Sequence, residues 1–284
     1  MGRRRPGSGA APLAPVLALG LALWTPGAAA RADVAVEVRF RPLPADVRPL
    51  EAALRAHIVA AAKAWTGRLR TRDCTITVEF GIRPWPGRGA GRSFVSAPYR
   101  GETRGGRRVC EEGAAQEIRT GRDPNGDAPD VEMYFDPAYF RTLWFDPDPG
   151  ARTAPMPSRG QRKLDAFSVI LHELGHAFGF NGFRDPRDGS LPGGFLSAYD
   201  RWVTFEGGDF FFNGPNAVKL YGRPVPLART NNNYHHVGDK GGAADPRLSG
   251  DLMNGVTLEW SRRYHVSALD VAILSDCGQE PKQR

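Results

Sequence analysis

Leu164, Phe167, Leu171, Leu174 and Phe178 follow the three-and-four spacing that puts apolar side chains on one stripe of a helix. The spacing predicts a helix over residues 164–180. Upstream, apolar alternation predicts strands over residues 34–40 and 75–82, with an amphipathic helix over residues 49–69 between them. Residues 131–135 alternate as a third strand, expected to be an edge strand lining a substrate cleft. Residues 266–278 read as a closing helix, with Ser267 as N-cap, Asp270 at the capping-box position and Gly278 just beyond its end. Strands with a helix, then a second helix, then an irregular stretch closed by a third helix point to an α+β fold.

The helix over residues 164–180 carries His172-Glu173-Leu174-Gly175-His176 away from its apolar stripe. A helix turns once per 3.6 residues, so His172 and His176 project from one face, one turn apart, and can share one cation. Glu173 cannot join them as a ligand from that face. It flanks the metal, where a general base belongs. His-Glu-x-x-His on a helix therefore points to a zinc peptidase with Glu173 as the catalytic residue. Gly179 follows three residues after His176, and glycine there costs about 1 kcal/mol unless it ends the helix or permits a close approach.

In metzincin zinc peptidases such a glycine turns the chain so that a third histidine, three residues on, reaches the metal. Here that position is Gly182, which has no side chain. Zinc in a catalytic site takes three protein ligands and water, so a further donor must come from downstream. The order His172-Glu173-x-x-His176-x-x-Gly179, a long insertion, His235-His236, then Asp251-Leu252-Met253-Asn254 resembles the leishmanolysin-like metallopeptidases. Ser197-Ala198-Tyr199-Asp200-Arg201 and residues 266–278 are similar to two further segments of that family. The resemblance spans residues 167–278 in short stretches and implies a metzincin-type zincin fold. It implies His172, His176 and His236 as zinc ligands, with His235 as the alternative, Glu173 as base and Met253 as the Met-turn beneath the metal. His236 is preferred because Val237-Gly238-Asp239 follow it. Tyr234 is a candidate donor to the oxyanion. Asp200 is expected to organise the second lobe or to orient a ligand histidine. His57 and His265 read as structural or surface histidines.

Arg3-Arg4-Arg5, an apolar stretch over residues 11–24 and Ala28-Ala29-Ala30-Arg31-Ala32 predict a secretory signal peptide over residues 1–32. The apolar stretch is broken by Pro12 and Pro15, so no stable membrane insertion is expected after its removal, and the product is secreted, periplasmic or extracellular. Its loss takes four arginines and no acid, lowering the net charge from +7 to +3. That small surplus is no nucleic-acid footprint. The remainder divides into an N-terminal catalytic subdomain, 33–182, and a C-terminal subdomain, 183–284. The expected function is a monomeric secreted zinc endopeptidase acting on a peptide or protein substrate. The alternative is a catalytically inactive secreted binding protein with a structural zinc site.

Three further features complete the reading. Residues 83–122 are rich in arginine and glycine and are expected to be a solvated insertion. Asp123-Pro124-Asn125-Gly126-Asp127 imitates the start of a calcium loop but lacks the glycine and distal glutamate of that loop, so it is read as a turn. Cys74, Cys110 and Cys277 enter an oxidising compartment, where Cys74–Cys110 is the expected disulfide and Cys277 the free thiol.

Overall fold

A computed structural model of the chain describes residues 1–2, 33–85, 89–93, 96–228, 234–238, 245–255 and 258–282. Of residues 1–32, expected to be a signal peptide, residues 3–32 lie outside the described residues. The chain divides between Arg31 and Ala32, and the architecture set out below is that of residues 32–284. It is mixed α+β, with several small sheets and six α-helices among the described residues.

The chain enters through β1 (Val34–Phe40), crosses in α1 (Glu51–Thr66) and returns in β2 (Cys74–Ile82). β1 and β2 pair in parallel, Val34 opposite Cys74 through Phe40 opposite Phe80. Next come β3 (Gly89–Ser93), β4 (Ser96–Arg104), β5 (Arg107–Glu112), α2 (Gly113–Thr120) and β6 (Val131–Phe135). β6 lies parallel to β2, and β3 closes the sheet antiparallel to β6, giving the order β1-β2-β6-β3. The edge strand is therefore β3 and not residues 131–135. All five residues of β6 are buried, as a strand paired on both sides and covered on both faces requires. β3 escaped the sequence reading because two of its five residues are glycine and it has no apolar alternation to register.

Residues 83–122 are not a solvated insertion. They build three strands and a helix. Arg104 and Arg107 flank a Gly105-Gly106 turn whose φ values of 56° and 75° suit a two-residue hairpin. Tyr99, Val109, Ala114 and Ile118 from this stretch enter the core. Arginines that mask its apolar pattern cover aromatic surface. The Arg119 guanidinium sits 5.5 Å from the Tyr99 ring centre and also pairs with buried Glu111.

After β6 follow α3 (Pro137–Phe140), the short pair β7 (Leu143–Trp144) and β8 (Leu164–Asp165), and α4 (Ala166–Ala177). The helix expected over residues 164–180 is thus shorter. Leu164 and Asp165 are extended because they pair with β7, and Asp165 instead caps α4, accepting the Ser168 N–H at 3.3 Å and its hydroxyl at 2.6 Å. Arg152 pairs with Asp165 at 2.7 Å in a nearly dry setting. All five positions of the predicted stripe are buried, Leu164 in β8, Phe178 at the C-cap and the other three on α4. α4 packs on α1, where the Trp65 indole N–H donates to the Leu171 carbonyl at 2.8 Å, and also on β3 and β6.

The remaining chain is more irregular: β9 (Phe195–Ser197) pairs with β5, and β10 (Val203–Glu206), β11 (Asp209–Phe212) and β12 (Val225–Pro226) form a separate small sheet. α5 (Pro215–Tyr221) packs on α6 (Ala268–Asp276). The α6 N-terminus has the predicted capping box, Ser267 and Asp270 each accepting the other's backbone N–H. No helix among the described residues is long and apolar enough to cross a membrane.

All three cysteines are free thiols, so the expected Cys74–Cys110 disulfide is not formed. Cys74 opens β2 in the four-stranded sheet, whereas Cys110 lies in β5 of another sheet. Cys110 and Cys277 instead border one internal cavity of about 10 Å³, with Glu112, Asn181 and Tyr199 on its wall. Glu112 is buried there, and its carboxylate accepts the Asn181 amide at 2.8 Å. Burial raises its pKa from 4.5 to about 8. A carboxyl raised in the folded state contributes most below its unfolded pKa, and that stability is lost as pH climbs from about 4.5 to about 8. Glu112→Gln, which keeps the acceptor for Asn181, should match wild type near pH 4.5. By pH 8 it should be more stable, by on the order of 1 kcal/mol per pH unit crossed. Urea unfolding at both pH values measures this, and an equal difference at the two would refute the assignment.

Candidate metal centre

α4 presents His172 and His176 one turn apart, and the third nitrogen comes from a stretch 60 residues downstream. His172 Nε2 and His176 Nε2 lie 3.2 Å apart, and the Nε2 of His236 is 3.0 Å from the first and 3.1 Å from the second. Tetrahedral zinc with Zn–N bonds of about 2.0–2.1 Å places its nitrogens about 3.3 Å from each other. The triangle is that size.

The far side of each ring on α4 is anchored. His172 Nδ1–H donates to the Leu252 carbonyl at 2.8 Å, and His176 Nδ1–H to the Phe180 carbonyl at 2.8 Å. A carbonyl only accepts, so both rings carry their proton on Nδ1 and turn an Nε2 lone pair inward. Burial pushes both imidazoles below the ordinary histidine pKa, His176 further because His172 stands beside it. Two neutral nitrogens then face each other with no hydrogen between them. A cation bound by all three would satisfy them, and the second hydrogen bond of each ring is the support that metal-ligating histidines characteristically have.

His236 is delivered by backbone pairing. Val237 bridges Leu227 on one side and Asn254 on the other, and its N–H donates to the Met253 carbonyl at 2.8 Å. The Ala228 N–H donates to the His236 carbonyl at 2.9 Å. His235 lies in a turn and His236 at the bend that leads into Val237, and it is the His236 imidazole that joins the two on α4. His235 is not one of the three clustered donors; its ring packs edge-on near His176, centre to centre 6.3 Å, and burial lowers its pKa to about 4. Sequence could not separate the two, because the pairing of Val237 is a tertiary fact.

Met253 lies directly under the helix and is fully buried. A methyl group added at Gly175, between Leu174 and His176, would meet the Met253 sulfur at 2.5 Å and Trp65 at 3.0 Å. Gly175 thus lets the thioether approach the backbone that carries both histidines. Glu173 sits on the same helix and is 8% exposed.

Tyr234 differs from expectation, and of the two roles expected for Asp200 the structure shows the first. The Tyr234 hydroxyl donates to Asp200 Oδ1 at 2.9 Å and accepts the Arg184 N–H at 2.7 Å, so it is committed away from the histidines. Asp200 also accepts from the backbone N–H groups of Phe183 and Ser197, at 2.7 and 3.3 Å, and none of these bonds goes to a histidine of the triangle. It organises the loop. His57 donates to the Ala53 carbonyl and accepts the Asp146 N–H, a packing role, and His265 contacts Arg152 at the surface.

A zinc ion held by the triangle would be largely lost in His236→Ala and retained at near one equivalent in His235→Ala. Metal analysis of the purified variants reads this, and equal retention by both would remove His236 from the donor set. No family model matches the chain, and no curated protein matches it.

Proposed function

We propose that the chain is a secreted zinc endopeptidase of the metzincin type, resembling the leishmanolysin-like enzymes. The observation that supports this reading best is the triangle of inward-facing Nε2 atoms on His172, His176 and His236, with Glu173 next to His172 in sequence. Its size and its tautomers suit zinc. Bound there, zinc supplies Lewis acidity, making water nucleophilic near neutral pH and polarising a peptide carbonyl.

The protein's own groups do the rest. The Leu252 and Phe180 carbonyls keep His172 and His176 in the donor tautomer. Glu173 accepts the proton of the attacking water and passes it to the departing amine nitrogen, so that one carboxylate serves both halves of the reaction. Met253 supports the helix through Gly175 without coordinating. β3 lies beside α4 as the antiparallel edge of its sheet and offers backbone groups to an extended peptide. The mixed α+β architecture, with a sheet packed on the histidine-bearing helix, is compatible with a zincin. A purely structural zinc site normally fills its fourth position with another protein ligand, and the described donor group has three.

Glu173→Gln should lower cleavage of casein or a quenched peptide library by about a hundredfold or more while zinc content stays near that of wild type. In the wild type a chelator should abolish cleavage and added zinc restore it. Undiminished activity in the variant would overturn the proposed base. A wild type that binds zinc yet cleaves nothing in the library would favour the binding-protein reading.

A further inference from the structure

A second group of acidic side chains lies outside the histidine centre. Glu117 on α2, Asp123 in the turn that follows and Asp130 at the entrance to β6 each bring a carboxylate oxygen within 4.8 Å of the other two. Oxygens that share one calcium at Ca–O bonds of about 2.4 Å lie no more than about 4.8 Å apart, so the three are within reach of a single ion. Clustered acids alone mean little, since solvated carboxylates often neighbour one another. Here two of the three are not solvated: Glu117 is 4% exposed and Asp130 is 3% exposed, while Asp123 faces solvent.

Their unused oxygens are the decisive feature. Asp130 Oδ2 accepts the Thr77 N–H at 2.7 Å, while Asp130 Oδ1 is buried with no donor. Glu117 Oε2 is likewise buried without a donor. Asp123 Oδ1 accepts the Asn125 and Gly126 N–H groups at 2.7 and 2.8 Å, leaving Oδ2. The amide of Asn125 is oriented by its N–H bond to the Ala128 carbonyl at 2.6 Å, and its Oδ1 is also buried and unpartnered. Among the described residues no arginine or lysine forms an ion pair with any of the three acids. Arg39 comes near but bonds Glu37 and the Asp127 carbonyl, each at 3.0 Å.

Buried oxygens without donors cost about 1–3 kcal/mol each, and more when charged. A hard cation removes that cost at both buried carboxylates together. We propose that Glu117, Asp123 and Asp130 form a calcium site that ties α2 and the 123–127 turn to the paired strands β2 and β6. The partial calcium-loop pattern in the sequence is absorbed in this way. The other two acids come from the preceding helix and from the residue just before β6, not from positions further along one loop. Burial first, and the neighbouring Asp130 carboxylate next, raise the Glu117 pKa to about 8. Without a cation a shared proton must do the same work. Calcium is favoured over magnesium because the donors are irregularly disposed, and magnesium demands near-octahedral geometry at shorter distance.

Equilibrium dialysis of the zinc-loaded full chain against radioactive calcium at pH 7.5 tests this. Wild type should bind one calcium per chain with a Kd of about 1 mM or tighter. Asp123→Asn retains the turn's Oδ1 acceptor on an exposed residue and should weaken binding at least tenfold. Glu117→Gln should do the same, and calcium should raise the melting temperature of wild type but of neither variant. Absence of bound calcium in wild type at about 1 mM, or unchanged affinity in Asp123→Asn, would overturn the site.

Discussion

The orientation of two imidazoles controls the arrangement of this molecule. His172 and His176 can turn lone pairs toward a common point only while their other nitrogens are held, and the holders are the carbonyls of Leu252 and Phe180. Phe180 follows directly after Gly179, whose φ of 140° is open to glycine and strained for other residues, so the helix end itself supplies one holder. Leu252 belongs to a segment 80 residues away. That segment is fixed in turn by Val237 and by Met253 against Gly175, so the second half of the chain is built around the rear of one helix.

The front half has the matching task of keeping α4 still. Trp65 bonds its backbone, α1 covers one side, β3 and β6 lie against it, and Asp165 with Arg152 seals its N-terminus. A donor set displaced by even 1 Å from productive geometry is a poor one, so this much packing behind three side chains is physically reasonable. The single glycine at 175 shows the same economy: the closest approach of the methionine occurs where the helix has no side chain.

Legibility from sequence followed the range of the interaction. β1, β2, β6, α1 and the capping box of α6 were readable because their periodicity or capping is local. The histidine pair and Glu173 were readable because helical spacing alone puts them together. What failed depended on distant partners. β3 and the hairpin after it carry glycine and arginine where alternation should be, and the buried Tyr99 of that hairpin is covered by the Arg119 guanidinium of α2. Asp165 looked like the second residue of a helix but is its cap, because Leu164 is claimed by β7. The choice of His236 over His235 rests on Val237 pairing with two remote segments, and the unpaired Cys74 and Cys110 on strands of separate sheets.

The absence of a histidine at position 182 has a structural cause. A side chain there would occupy the space of the Tyr234 hydroxyl and Asp200 Oδ1. Asp200 joins the chain at Phe183, Ser197 and Tyr234, the start, middle and end of the insertion, and burial raises its own pKa against the pull of these donors. Tyr234 stands two residues before His236. The clasp that brings the chain back therefore ends where the third imidazole begins, and it needs residue 182 to be glycine. A histidine at 182 and a clasp at Asp200 compete for the same volume, so a chain with this insertion must draw its third nitrogen from the far side of the loop.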